Sequence, residues 1–264
     1  MNKQLQNTKD KAGGRSSLHT CLPLKTKRAL ALTVLYFFLC IIQSFAGTIT
    51  SAGNTGNWNS TATWSGGVVP TSADDVIIAA GSSITVTAST TCKSISFNAS
   101  TAAAISATIS VNSGITLTIT NALTITDGKN NIDLTLSGAG TVTCSSVSIG
   151  VAGTSPTGSA ITTATLHSTI TAFNISTDIT LNGNATSNST KVNNPQLDLQ
   201  SGTMTVSNSI VSTTNGATSG SGPTCSVLMN GGTQTGTLIL NGSSPWSLVS
   251  SGLVTNTTTV MLIV

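Results

Sequence analysis

From about Ser82 onward apolar side chains recur at every second position, as in SITVTA (Ser83–Ala88), KSISFN (Lys93–Asn98), GITLTIT (Gly114–Thr120), IDLTLSG (Ile132–Gly138), GTVTC (Gly140–Cys144), QLDLQ (Gln196–Gln200), GTMTVS (Gly202–Ser207) and GTLILNG (Gly236–Gly242). A two-residue period sends alternate side chains to opposite faces of an extended chain, so each run predicts a strand with one buried face. Thr, Ile and Val supply both the pattern and the β propensity. Between the runs lie Asn112-Ser113-Gly114, Asp127-Gly128-Lys129-Asn130, Asn182-Gly183-Asn184 and Asn241-Gly242-Ser243, which is turn chemistry. No segment after Ala46 carries a sustained helical period.

Many short strands with closely spaced turns fit an all-β fold of one of three kinds, a β-sandwich, a series of small β-domains or a β-solenoid. The apolar residues are mostly slim, with Phe97 and Phe173 the only phenylalanines after Ala46, which suits stacked coils better than a sandwich around a bulky centre. Turns recur at spacings compatible with coils of about 20 to 25 residues. The solenoid is the expected fold, with the sandwich as its alternative. Two looser stretches, Val151–Ala160 and Ser212–Thr224, interrupt the pattern and read as solvated turns or as side loops carrying a binding surface. The sequence stops at TTTVMLIV, midway through what reads as a strand, so the coils over 82–264 are expected to be truncated.

Charge divides the chain. Lys3, Lys9, Lys11, Arg15, Lys25, Lys27 and Arg28 against Asp10 give the first 46 residues a charge of +6, and the remainder carries −3. The leader joins these cations to the apolar run ALALTVLYFFLCIIQ (Ala29–Gln43) and to Ser44-Phe45-Ala46, a signal-peptide pattern with cleavage expected after Ala46; an uncleaved membrane anchor is the competing reading. Export to the cell surface or medium follows, and the membrane is involved only through the signal segment. Beyond Ala46 remain Cys92, Cys144 and Cys225, an odd count at wide spacing that fits neither a disulfide framework nor paired zinc ligands, and they read as buried small hydrophobes.

The stretch GNWNSTATWSGGVVPTSADDVIIAAGSSITV (Gly56–Val86) and its continuation to Ser100 resemble the start of a G8 domain in large secreted surface proteins of Bacteroidota-type bacteria. Trp64, Gly66, Gly67, Pro70, Asp74, Asp75, Val76 and Gly81 match that pattern, over about a sixth of the chain. The resemblance implies a Trp-containing N-terminal cap over 47–81 leading into a right-handed parallel β-helix, in adhesin-like proteins commonly exported by the type IX route. The C-terminal sorting domain of that route is not visible. Within this frame Asp74 and Asp75 read as turn acceptors that start the fold, since their carboxylates follow Pro70-Thr71-Ser72-Ala73; a calcium or catalytic role is the alternative. Trp58 and Trp64 read as a plug for the first coil, with Pro70 and Gly81 shaping the turns around them.

Chemistry for catalysis is scarce. After Ala46 there is no Glu, Arg or Tyr, and His167 is the single histidine. Polysaccharide-cleaving enzymes need paired carboxylates, or metal-bound acids with a base, and no motif of that kind, no phosphate loop and no metal pair is present, so the chain is expected to be non-enzymatic and to need no metal or cofactor. His167 reads as an exposed strand residue, and Asp127 and Asp133 as flanks of a turn. The acidic, aromatic-poor exported part disfavours nucleic acid. Trp246, in SSPWS, is the candidate ligand contact, an indole able to stack on a sugar ring. Thr-X-Thr patterns recur at Thr85/Thr87, Thr116/Thr118/Thr120, Thr124/Thr126, Thr141/Thr143 and Thr203/Thr205. The expected function is a secreted or cell-surface, adhesin-like solenoid presenting Thr, Ser and Asn faces to extracellular glycans or other surface proteins. The alternatives are the non-catalytic front of a longer carbohydrate-active enzyme and an ice-binding solenoid.

Overall fold

The computed structural model describes residues 46–98, 105–126, 131–150, 161–185, 192–215, 223, 225–229, 236–243 and 246–249. The signal segment, Asp127, and most of the two loose stretches lie outside these residues. Contacts group residues 45–264 into one compact unit.

The alternation does what a two-residue period demands. Along Ile132–Ser137 every odd residue of the run is buried and every even one half-buried, and Ser83–Val86 repeats this with opposite phase. Strands built this way stack in parallel into three ladders, which makes the fold a parallel β-solenoid and not a sandwich of antiparallel layers. Sheet 1 runs through Thr48–Thr50, Asp75–Ile78, Ser94–Asn98, the second half of Thr116–Thr126, the second half of Thr141–Gly150, Ile179–Ala185, Ile210–Asn215 and Trp246–Val249. Sheet 2 runs through Thr55–Asn57, Ser83–Val86, Ile105–Val111, Ile132–Ser137, Ile161–Ser168, Val192–Leu199 and Ser226–Met229. Sheet 3 runs through Thr90–Cys92, the first halves of Thr116–Thr126 and Thr141–Gly150, then Ala172–Ile175, Gly202–Val206 and Gly236–Leu240.

Register puts like on like. Ile49, Val76, Ile95, Leu123, Val147, Ile179 and Ile210 form one buried column of sheet 1, and Leu117, Val142, Phe173, Met204 and Leu238 form one of sheet 3. Each such aliphatic side chain withdrawn from water stabilises the fold by about 1.5–3 kcal/mol, and a one-residue slip would turn a whole strand inside out. Cys92 and Cys144 share an interior column with Ile119 between them, and Cys225 is buried too; all three are free thiols. Burial pushes the thiols of Cys92 and Cys144 up to about 12 and raises that of Cys225.

Two expectations need correction in detail. Coils are not uniform, because register partners are 19 residues apart at Val76 and Ile95, 32 at Val147 and Ile179, and 36 at Ile210 and Trp246. Length varies in the connections, chiefly from sheet 1 to sheet 2, while the strands stay in step. Second, the segment 47–81 is itself part of the coils: Thr48–Thr50, Thr55–Asn57 and Asp75–Ile78 already stand in the ladders.

Where one turn crosses closely over the next, only glycine fits. Gly138 (φ 104°) and Gly202 (φ 76°) sit between sheets 2 and 3, and a Cβ on either would strike a carbonyl oxygen of the preceding coil, that of Val111 or Ile170.

Candidate functional site

The paired aspartates divide their work by parity. Asp74 precedes a strand and is buried, with Oδ1 accepting the Gly47 N–H at 2.8 Å and Oδ2 accepting the Thr71 N–H at 2.8 Å and its hydroxyl at 2.7 Å. Burial alone would raise its pKa, but these donors outweigh it and hold the carboxyl below its ordinary value. Asp75, the first strand residue, points outward to Lys93 Nζ at 2.7 Å and Ser94 Oγ at 2.6 Å on the next strand of sheet 1, and these two hydrogen bonds lower its pKa.

Trp58 and Trp64 are buried edge to face, ring centroids 4.9 Å apart, with Trp64 Nε1 donating to the Trp58 carbonyl at 2.7 Å. Ser51 N–H bonds across to Ile77 in the ladder, whereas the Thr50 carbonyl and Ala52 N–H turn the other way, to Ser65 and Thr63. The Trp segment thus lies along the edge of Thr48–Thr50 that sheet 1 leaves unpaired. Pro70 is buried beside it, and Gly81 (φ 76°) makes the turn between Asp75–Ile78 and Ser83–Val86, its N–H bonded to Ser106. Trp246 pairs through its backbone with Ile210, and its side chain lies outside the described features.

His167 is placed differently from its sequence reading. Its side chain is 27% exposed, between two acids from neighbouring coils: Nδ1 lies 2.8 Å from Asp198 Oδ2, and Nε2 lies 3.6 Å from Asp133 Oδ1. Gln200 Nε2 also donates to Asp198 Oδ2 at 2.8 Å. The Asp198 hydrogen bond raises the His167 pKa, against a lowering by burial, and Asp133 adds to the rise. Burial works to raise the Asp198 pKa, yet the His167 and Gln200 bonds bring it below its ordinary value. With Asp198 at Nδ1 and Asp133 facing Nε2, the protonated imidazole has a carboxylate on each nitrogen. The partners are missed in sequence because Asp198 is 31 residues away, which is one coil. Among the described residues no group of three or more His, Cys, Asp or Glu is arranged to hold a metal ion.

The outward side of sheet 3 carries hydroxyls in two in-register columns. One reads Thr116, Thr141, Ala172, Thr203 and Thr237; the other reads Thr91, Thr118, Thr143, Asn174, Thr205 and Ile239. The pairs Thr116/Thr118, Thr141/Thr143 and Thr203/Thr205 therefore stack on one face, while Thr85 belongs to sheet 2 and Thr124/Thr126 to sheet 1. Beyond this face the chain bends toward sheet 1, with a bulge opposite Ser145, and the bend leaves a shallow groove of about 380 Å³. Hydroxyl and amide side chains line it together with Ile119, Cys144 and Ile175, so the surface is more apolar than polar, and it contains no charged side chain.

The chain matches no family model, and comparison with curated proteins and with solved structures finds no match. Among the described residues no helix is long and apolar enough to cross a membrane.

Proposed function

We propose that the chain is a non-enzymatic display segment, exported through its leader to the cell surface or medium, where a rigid solenoid presents uncharged hydroxyl and amide faces for adhesive contact. The observation that carries this reading is the outward face of sheet 3, where threonine stands at seven of the ten positions from Thr116 to Ile239 and no charge interrupts it. Such a face is wetted but offers neither strong field nor acid–base pair, which suits many weak contacts better than a reaction. The G8-like positions Trp64, Gly66, Gly67, Pro70 and Asp74 extend the reading by likeness: the segment over 58–74 serves as the cap of the first coil, covering a strand edge that would otherwise recruit another chain. Extracellular glycans and neighbouring surface proteins are its partners.

Antibody labelling of intact native cells, with labelling after lysis as reference, tests the export half. Adhesion of beads coated with the full chain to those cells tests the adhesive half. Labelling only after lysis, or beads that settle no better than albumin-coated ones, overturns the proposal.

A second reading is favoured by the same columns. Parallel strands set their threonines about 4.8 Å apart along the axis and about 7 Å apart along the strand, a lattice of hydroxyls and methyls of the kind that orders ice-like water. Ala172 and Asn174 break that lattice on its middle coil, and Ile239 on its last. Thermal hysteresis of the full chain above that of albumin supports ice binding, and its absence removes it.

A further inference from the structure

We propose that the groove beside sheet 3 is a binding site for an uncharged, linear polysaccharide lying along the solenoid axis. This rests on the display reading above and names its ligand. One wall is the column Thr118, Thr143, Asn174 and Thr205; the other is Thr120, Ser145, Ser176 and Ser207, each two residues further along the chain, the last two just past the ends of their strands.

Three features select the ligand. The first is repetition: each coil adds one side-chain pair, and coils follow at about 4.8 Å, so the site spans about 14 Å and presents the same chemistry four times. A ligand that uses all four must itself repeat along its length, as a chain of sugar units does. The second is charge. No lysine, arginine, histidine or carboxylate lines the groove, so an anionic or cationic polymer gains no pairing there and loses hydration on entering. The third is free hydrogen-bonding capacity. Among the described residues the side chains of Thr118, Thr143, Asn174, Thr205, Ser145 and Ser207 have no hydrogen-bond partner, whereas Thr120 donates to the Lys93 carbonyl and Ser176 to that of Ser145. Hydroxyls both donate and accept, and an amide does both at fixed atoms, which matches the mixed donors and acceptors of sugar hydroxyls. The methyl groups of Thr118, Thr143 and Thr205 provide apolar contact for the C–H faces of the rings. No aromatic platform is present, so affinity per sugar is low and grows with chain length.

The test is affinity electrophoresis of the full chain in gels containing hydroxyethylcellulose, mannan, dextran or the anionic alginate. The expected result is retardation by at least one neutral polymer and none by alginate. The triple substitution Thr118→Val, Thr143→Val and Thr205→Val keeps branching and methyls but removes three hydroxyls, and should weaken retardation roughly tenfold or more. Thr124→Val with Thr180→Val, on the outward side of sheet 1, should leave it unchanged. Circular dichroism confirms that both variants are folded. Retardation by alginate alone, no retardation by any polymer, or equal loss in both variants overturns the groove assignment. If beads still adhere to cells in those cases, the display reading stands without this site; if adhesion is also lost, both fall. Thermal hysteresis abolished by the triple variant, with no polymer bound, would reassign the face to ice.

Discussion

His167 Nδ1 stands 2.8 Å from Asp198 Oδ2 across one coil, while Nε2 faces Asp133 Oδ1 at 3.6 Å from the coil before. Three strands of sheet 2 are thereby tied on their outer side by one imidazole between two carboxylates. The His167 pKa is raised in the folded chain, so its stabilising contribution is fully present below the unfolded value of about 6.5 and is lost as pH rises through the folded value. The full chain should lose roughly 2–4 °C in Tm as pH rises across that window. Asp198→Asn should remove most of the loss. An equal loss in both proteins would show that the imidazole is not its source. On the acid side the sign reverses: Asp74, Asp75 and Asp198 have depressed values, so their contribution is present above about pH 4 and lost as pH falls through them.

The adjacent aspartates should differ sharply on substitution. Asp74→Ala strips acceptors from the Gly47 and Thr71 amides and the Thr71 hydroxyl in a buried setting, and should cost about 2–3 kcal/mol in urea unfolding. Asp75→Ala removes an ion pair in which both side chains are well exposed, and should cost under about 1 kcal/mol. Comparable losses would contradict the division of labour seen here.

Close stacking of turns predicts a third outcome. Gly202→Ala puts a Cβ against the Ile170 carbonyl at a positive φ, so the turn must shift or strain, and about 1–3 kcal/mol of stability should be lost. Gly66→Ala, also at positive φ but with open space around its Cβ, carries only the dihedral strain and should cost less. Thermal unfolding of the two variants side by side checks the order.

What was legible in the sequence is what depends on a residue and its near neighbours. Alternation in IDLTLSG and GTVTC gave the inward set, and Thr116/Thr118, Thr141/Thr143 and Thr203/Thr205 announced a hydroxyl face before their register was known. Contacts across coils were not legible, because unequal connections hide which residue lies above which. His167 and Asp198 are 31 residues apart, and Gly47 and Asp74 are 27. Parity read His167 as an outward strand residue; only the coil length tells that Asp198 meets it. The groove was hidden for the same reason, since Thr118 and Thr143, 25 positions apart, become one wall only when the chain between them is wound into a turn.

The two tryptophans should respond unequally to loss of their indole N–H. Trp64 Nε1 is bonded to the Trp58 carbonyl, so Trp64→Phe removes a buried hydrogen bond and leaves that carbonyl unsatisfied, costing about 1–3 kcal/mol. Trp58 Nε1 is buried with no partner among the described residues, so Trp58→Phe removes an unsatisfied donor, and this gain offsets the lost ring area. Trp58→Phe should therefore lie within about 1 kcal/mol of the parent, while Trp58→Ala, which empties the space beneath Trp64, should cost about 3–5 kcal/mol. Urea unfolding, with tryptophan emission from the two remaining indoles, reads all three. A Trp58→Phe protein less stable than Trp64→Phe would mean that the pair acts through ring packing alone and that the indole-to-carbonyl bond contributes nothing.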